Sequence, residues 1–129
     1  MTVDFHVHST ASDGTFAPRE LVEKAAREGF AALALTDHDN TDGVAELLAA
    51  GSQLGVRTVA GVELSIEPGK TFDRFHLLGL GIDPANAALK AFQRRILDGR
   101  NARNEQILAN FRRLGIEMGD EIASYAHGD

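Results

Sequence analysis

The chain has 129 residues, 43% of them hydrophobic and 25% charged, and its formal net charge is −6 at pH 7. This balance is typical of one soluble globular domain and excludes a wholly disordered or collagen-like chain. The absence of cysteine excludes a disulfide framework and a thiolate metal site. No apolar run approaches the ~18 residues of a membrane span, and no basic segment opens a secretory signal, so we expect a cytoplasmic protein without a membrane partner.

Charge is distributed unevenly along the sequence. Residues 1–64 contain ten acidic and four basic residues, whereas residues 65–129 contain nine of each. Within the second half, residues 90–113 contain seven basic residues and two acidic ones. This distribution fits a first half that binds cations and a helical segment that faces a polyanion. On charge alone, a solvated, charged helix face is the favoured interpretation of the basic segment, and the polyanion interpretation stays open.

The first third of the chain alternates between strand and helix patterns. Residues 2–7 alternate apolar and polar side chains, which predicts a strand, and residues 9–16 are typical of a turn. A helix is expected to begin at Pro18 and to end at Gly29. The apolar run 31–35 predicts a second strand, covered on both faces.

A second helix and a third strand continue the same alternation. We expect Thr41 or Asp42 to cap this helix, which runs to residue 54 and is stopped by Gly55. Residues 56–62 then form the third strand. The resulting βαβαβ order predicts an α/β sheet with right-handed crossovers.

Beyond the third strand the pattern changes twice. Residues 71–82 predict a fourth strand, in a hairpin with a short strand at 64–66, and a short helix is expected at 120–126. Apolar residues after Pro84 follow the helical period. We therefore divide the chain into an α/β part, residues 1–85, and a helical part, residues 86–129.

Histidines and carboxylates stand within the predicted strands or just after them. His6 and His8 are two positions apart on a strand, so both imidazoles lie on one face. The carboxyl ends of parallel strands lie at the same edge of a sheet, and active sites of α/β proteins form at that edge. We expect six side chains to converge there: His6, His8, Asp13, His38, Glu63 and His76. A turn and cap role for His38 and Asp39 is the plainer alternative.

Such a cluster indicates divalent cations, because carboxylates and imidazoles crowded together titrate badly without them. Nitrogen and oxygen donors without sulfur favour Mn, Fe or Zn over Ca. Glu63 has two oxygens and could bridge two ions. Asp37, Asp39 and Ser65 are candidates to orient the imidazoles, or to build the turn and cap.

Four motifs carry a resemblance to a known family. In chain order they are FHVHSTASDG (5–14), ALTDHD (34–39), GVELS (61–65) and HLLGLG (76–81). Together they resemble the PHP (polymerase and histidinol phosphatase) family, and more narrowly its stand-alone metal-dependent phosphoesterases. Members include nucleoside 3′,5′-bisphosphate phosphatases that also act as 5′-to-3′ exoribonucleases.

The resemblance implies a partial, distorted (β/α)₇ barrel followed by the start of a helical insertion. It also implies a centre of up to three metals on the six residues, with Glu63 bridging. Asp13, His38 and Glu63 would then carry the catalysis, in which a metal-bound hydroxide hydrolyses a phosphorylated small molecule, a nucleotide or a short RNA. The basic segment would grip a terminal phosphate or the RNA backbone.

The sequence also departs from the family pattern. A Gly-Arg-Pro-His motif and a later Asp-x-His pair, which supply further ligands in the family, are not found here. We therefore expect a C-terminally truncated chain that lacks part of the family's ligand set, and whether it is active alone stays open. Two alternatives remain: a non-catalytic, metal-stabilised PHP module, and an amidohydrolase on a (β/α)₈ barrel.

Overall fold

Four strands form one sheet in the order β1-β2-β3-β4. The structure, a computed structural model, describes residues 1–67 and 73–117. Strands β1, β2 and β3 are parallel, and β4 is antiparallel to β3. The elements in chain order are β1 (Thr2–Val7), α1 (Pro18–Glu28), β2 (Phe30–Leu35), α2 (Val44–Leu54), β3 (Arg57–Ile66), β4 (Phe75–Leu80) and α3 (Ala87–Arg113). The predicted α/β class and alternation are confirmed.

Helix α1 begins and ends where the sequence predicts. Pro18 occupies the first turn, where its missing N–H is not needed, and the Glu20 carboxylate accepts the Ala17 backbone N–H at 2.8 Å. Gly29 ends the helix with φ 74°, a left-handed conformation that favours glycine. Its apolar side chains, with Val22 fully buried, pack into the core below the sheet.

The core lies between the sheet and the two short helices. Leu33 and Leu35 of β2 meet Leu47 of α2 and Val22 of α1, all at most 4% exposed. Burying each such side chain contributes roughly 1.5–3 kcal/mol. This layer holds β2 rigid, and β2 leads directly into the polar loop that follows it.

The predicted cap of α2 is wrong. Gly43 occupies the N-cap position, in helical conformation and without a side-chain cap, and the Thr41 carbonyl accepts the Val44 N–H at 3.2 Å. A Cβ on Gly43 would lie 2.9 Å from side-chain atoms of both Leu35 and Pro18. Close packing between the two helices and β2 therefore selects glycine here over a capping side chain.

Strand β3 is longer than predicted. It runs without a break from Arg57 to Ile66, so the separate strand expected at 64–66 is its own continuation. Its second half pairs antiparallel with β4, which confirms the hairpin, while its first half pairs parallel with β2. Glu63 consequently lies inside a strand.

Helix α3 covers most of the predicted helical segment, whereas the short helix predicted at 120–126 lies outside the described residues. In residues 1–67 and 73–117, no helix combines the length and apolarity needed to cross a membrane.

Candidate metal centre

The six predicted side chains come together on one rim of the sheet. They come from β1 and the residues after it, from the loop after β2, from β3 and from β4. Three groups have donor atoms within 4.8 Å of one another: His6, His8 and Glu63; His8, Asp13 and His38; and His38, Glu63 and His76. Each pair of groups shares one residue, so the three groups form a closed triangle.

Glu63 is shared by two of these groups and is 4% exposed. Its Oε2 lies 3.1 Å from His6 Nε2 and 2.9 Å from His8 Nε2. The same oxygen lies 3.5 Å from His38 Nδ1, whereas Oε1 lies 3.2 Å from His76 Nδ1. The two carboxylate oxygens therefore face different imidazoles, as a bridging carboxylate requires.

Asp13 joins the cluster from the turn after β1. Its Oδ1 lies 2.8 Å from His8 Nδ1, and its Oδ2 lies 3.7 Å from His38 Nε2. The two ring nitrogens of His8 thus face two different carboxylates, Asp13 and Glu63. An imidazole that binds a cation through one nitrogen usually donates its other N–H to a carboxylate, and His8 has this arrangement.

The imidazoles also set the protonation of the two carboxylates. Burial by itself would raise the pKa of Glu63, but the hydrogen bond with His6 and the charges of His38, His6 and His76 lower it below its ordinary value. The pKa of Asp13 is lowered in the same way, because the hydrogen bond with His8 and the charges of His38 and His8 outweigh desolvation. Both groups are therefore anionic at neutral pH, ready to bind cations.

Asp37, one residue before His38, is a buried anchor for the turn that carries Asp13. Its carboxylate is 1% exposed and accepts the Ser9 backbone N–H and the Ser9 hydroxyl, both at 2.7 Å. It also accepts the Ser12 hydroxyl at 2.7 Å. Ser9 follows His8 and Ser12 precedes Asp13, so this one carboxylate holds two donor-bearing segments together.

Asp39, one residue after His38, makes the corresponding contact with β3. It accepts the Ser65 backbone N–H and hydroxyl, both at 2.7 Å, and the Arg100 guanidinium of α3 at 2.6 Å. The sequence indicated Asp37, Asp39 and Ser65 as orienting residues. It did not indicate Ser9, Ser12 or Arg100, whose partners lie 25 to 61 positions away.

Two glycines let the backbone approach closely at this rim. A Cβ on Gly14 would lie 2.3 Å from the His8 carbonyl oxygen, and one on Gly61 would lie 2.6 Å from the Leu35 carbonyl oxygen. Real Cβ atoms do not tolerate such distances, so the turn after β1 and the β2–β3 contact both require glycine. Gly14 follows Asp13 and lies against His8, and Gly61 lies two positions before Glu63, so both glycines adjoin proposed metal ligands.

Comparison with known families identifies a PHP domain over residues 4–117. A 3′,5′-nucleoside bisphosphate phosphatase of Chromobacterium violaceum is 44% identical over 88% of this chain and 39% of its own length. A phosphoribosyl 1,2-cyclic phosphate 1,2-diphosphodiesterase of Eggerthella lenta is 37% identical over 95% and 47%. A 5′-3′ exoribonuclease of Haemophilus influenzae is 34% identical over 92% and 39%. The chain thus spans less than half the length of these relatives.

Two solved structures are similar to this chain over most of its length. An amidohydrolase of Chromobacterium violaceum, solved with bound sulfate and no metal, superposes with a TM-score of 0.81. It is 40% identical, and the match covers 98% of this chain and 44% of that one. A Bifidobacterium adolescentis protein assigned as a metal-dependent phosphoesterase has a TM-score of 0.77 and 28% identity, over 87% of this chain and 38% of its own.

Proposed function

Since the chain belongs to the PHP domain family, we propose that it is the metal-binding part of a phosphoesterase. The enzyme would hydrolyse phosphate esters of nucleotides or short oligonucleotides. The mixed α/β structure is part of a PHP barrel. The observation that carries the proposal is the triangle of donor groups around Glu63, which brings six side chains from four strands and their loops to one rim.

The donor set fits divalent cations. It combines imidazole nitrogens with carboxylate oxygens and contains no sulfur, a mixture that favours Mn, Fe or Zn. One ion would be held by His6, His8 and Glu63, and a second by Asp13 and His38. Glu63 and His76 would supply part of a third site. When bound, such cations activate water and neutralise charge on phosphoryl oxygens.

The residues themselves contribute position and charge. Asp13, His38 and Glu63 are the proposed catalytic residues because each belongs to the cluster and is held by a neighbouring segment. Glu63 is buried within β3, and its backbone N–H and C=O bond to the loop that carries His38. The site can therefore hold several ligand groups in a fixed arrangement before a phosphate ester arrives, which lowers the reorganisation that catalysis requires.

The proposed substrate class comes from chemistry that the relatives share. They are named for action on nucleoside bisphosphates, cyclic ribosyl phosphates and RNA, all of which are phosphate esters. The solved relative that binds sulfate holds a tetrahedral anion of phosphate shape. In this chain the basic helix α3 would face such an anion, and residues 86–129 would form a helical insertion beside a barrel part at residues 1–85.

The test is a metal-dependent assay of the protein at its full genomic length. Chelated protein is loaded with Mn²⁺, Zn²⁺ or Fe²⁺ and given a nucleoside 3′,5′-bisphosphate, a mononucleotide and a short RNA. We expect metal-stimulated phosphate or nucleotide release from at least one substrate. Stoichiometric metal binding without any turnover would instead indicate a non-catalytic, metal-stabilised module.

One observation favours a second candidate function, because a solved relative carries the name amidohydrolase. The same protein preparation is therefore tested on amide and lactone substrates. Hydrolysis of these, together with inert phosphate esters, would replace the phosphoesterase proposal. Absence of both activities and of metal binding would rule out the proposed centre itself.

A further inference from the structure

One face of α3 carries a stripe of half-buried side chains at helical spacing: Leu89, Phe92, Gln93, Ile96, Arg100, Asn104, Leu108 and Phe111. Residues three or four positions apart share a helix face, so this stripe marks the side that faces the rest of the molecule. Its polar members are Gln93, Arg100 and Asn104, and the others are apolar. A half-buried arginine loses hydration, which must be compensated by a partner.

Asp39 provides that compensation. Arg100 Nη2 donates to Asp39 Oδ2 at 2.6 Å and to the Ser65 hydroxyl at 3.2 Å. The Asp39 side chain is 6% exposed and that of Arg100 is 29% exposed, so the ion pair is shielded from water on its acidic side. Asp39 has φ 51°, an unusual value outside glycine, and both of its oxygens are held by Ser65. Arg100 thus contacts a carboxylate that is already fixed.

This ion pair joins a loosely packed helix to a rigid rim. Among the described residues of α3 none is buried, whereas Asp37 and Glu63 of the rim are at most 4% exposed. A helix of this length is usually held against its protein by burial of an apolar face. The free energy gained from such burial is small in α3, because none of its described residues is buried. A charge-assisted hydrogen bond to a buried carboxylate is then a large share of the energy that docks α3.

Two cavities, of about 620 and 640 Å³, are lined by side chains of α3 and share Arg100. His38 lines the first and His76 the second, and Arg100 and Arg103 line both. Other basic side chains of α3 that line them are Lys90, Arg94 and Arg95. An anion that reaches the candidate metal centre through either cavity therefore passes under a basic helix.

We propose that Arg100 is a positioning residue that, through its ion pair with Asp39, docks α3 over the metal centre and so favours ligands with more than one phosphate. The inference rests on the proposed phosphoesterase function. A substrate with one phosphate needs the metal centre, whereas a second phosphate needs the basic side chains of α3 in place. The position of α3 therefore affects binding of the second group more than the chemistry at the first.

The experiment compares Arg100→Gln, Arg100→Lys and Arg27→Gln in the metal-loaded protein at its full genomic length. Arg27 is the control, since it is an exposed arginine of α1 that lies outside the basic segment and lines neither cavity. For a nucleoside 3′,5′-bisphosphate, Arg100→Gln should raise KM about 10-fold or more, the effect of one charged hydrogen bond. Its kcat, and both constants for an aryl monophosphate, should change less than about 3-fold. Arg100→Lys should recover part of the loss, because it keeps the charge without the planar fork.

Amide hydrogen exchange of α3 gives a readout that does not require turnover. Exchange should quicken across α3 in Arg100→Gln and stay at the wild-type rate in Arg27→Gln. Unchanged exchange, or an equal loss on both substrates, would overturn the proposal. If the wild-type protein hydrolyses no phosphate ester, that result refutes the proposed function and not the role of Arg100. Calorimetric binding of the same bisphosphate, unchanged in Arg100→Gln, would then overturn the inference separately.

Discussion

Asp37 is the residue whose replacement most directly tests how the rim is held together. Its backbone carbonyl accepts the N–H of the proposed ligand Glu63 at 3.1 Å, and its carboxylate accepts three hydrogen bonds, each 2.7 Å long, from Ser9 and Ser12. Ser9 is fully buried, so in Asp37→Ala its amide and hydroxyl would lose a partner that water cannot readily replace. Hydrogen bonds to charged groups contribute about 1.5–3 kcal/mol each.

These three bonds share one carboxylate and are not additive, so we expect Asp37→Ala to lower the free energy of unfolding by about 3–5 kcal/mol. Asp37→Asn keeps the shape and at least one acceptor oxygen, so its loss should be about 1–2 kcal/mol. Metal affinity should fall about 10–100-fold in Asp37→Ala, because the turn that carries Asp13 is no longer held against β2.

Urea unfolding in excess chelator measures the stability term without contribution from bound metal, and titration with Mn²⁺ or Zn²⁺ measures the affinity term. Asp42→Asn is the control, since Asp42 is an exposed carboxylate of the same loop. A stability loss in Asp37→Ala no larger than that of the control would refute the anchoring role. Reduced stability with unchanged metal affinity would show that Asp37 holds the fold without ordering the donor groups.

Three further predictions address the cluster itself. Glu63→Gln should lower metal affinity by more than about 100-fold, because it removes a ligand shared by two donor groups; metal content after dialysis, measured by atomic emission, would contradict this if it equalled wild type. In chelator, the lowered pKa of Glu63 means that its stabilising effect is present above its ordinary pKa of 4.5 and is lost as pH falls through the lower folded value. Acid unfolding monitored by circular dichroism should therefore be less steep in Glu63→Gln, and an identical acid limb would count against the imidazole contacts. Gly14→Ala should destabilise the protein by about 1–3 kcal/mol and weaken metal binding, since its Cβ would press on the His8 carbonyl; thermal unfolding at the wild-type temperature would argue that the turn yields without strain.

The local features of this fold follow from short stretches of sequence. The alternation of residues 2–7 correctly predicts β1, although Val3 and Phe5 on its apolar side are exposed in this structure. The left-handed conformations of Gly29 and Gly55 mark the ends of α1 and α2. The rim was predictable for the same reason. Parallel strands end on one side, so His6, His8 and His38 had to lie near one another once three strands were recognised.

Features that depend on tertiary packing were not predictable in this way. The sequence of α2 offers a good capping residue in Asp42, but the space between Pro18 and Leu35 admits only glycine at the position that matters. Strand β3 continues through Glu63 because β4 pairs with its second half, a partner that the pattern of β3 alone does not reveal. Arg100 could have been noticed as a charged residue on the face of α3 that also carries Phe92 and Ile96. Its partner, 61 positions earlier, could not.

In this small structure, buried polar groups hold the proposed metal ligands in place, whereas exposed basic groups would face the anion. The segments that carry the donors are held by buried side chains, namely Ser9 and Asp37. The basic helix above them has no buried residue in the described part of the chain and depends on Arg100. Disturbing the buried layer should therefore affect metal binding and stability together, whereas changes in α3 should alter which anion is held. Substitutions in α3 leave the cluster of metal ligands intact. They can therefore change which anion the chain prefers while metal affinity stays nearly the same.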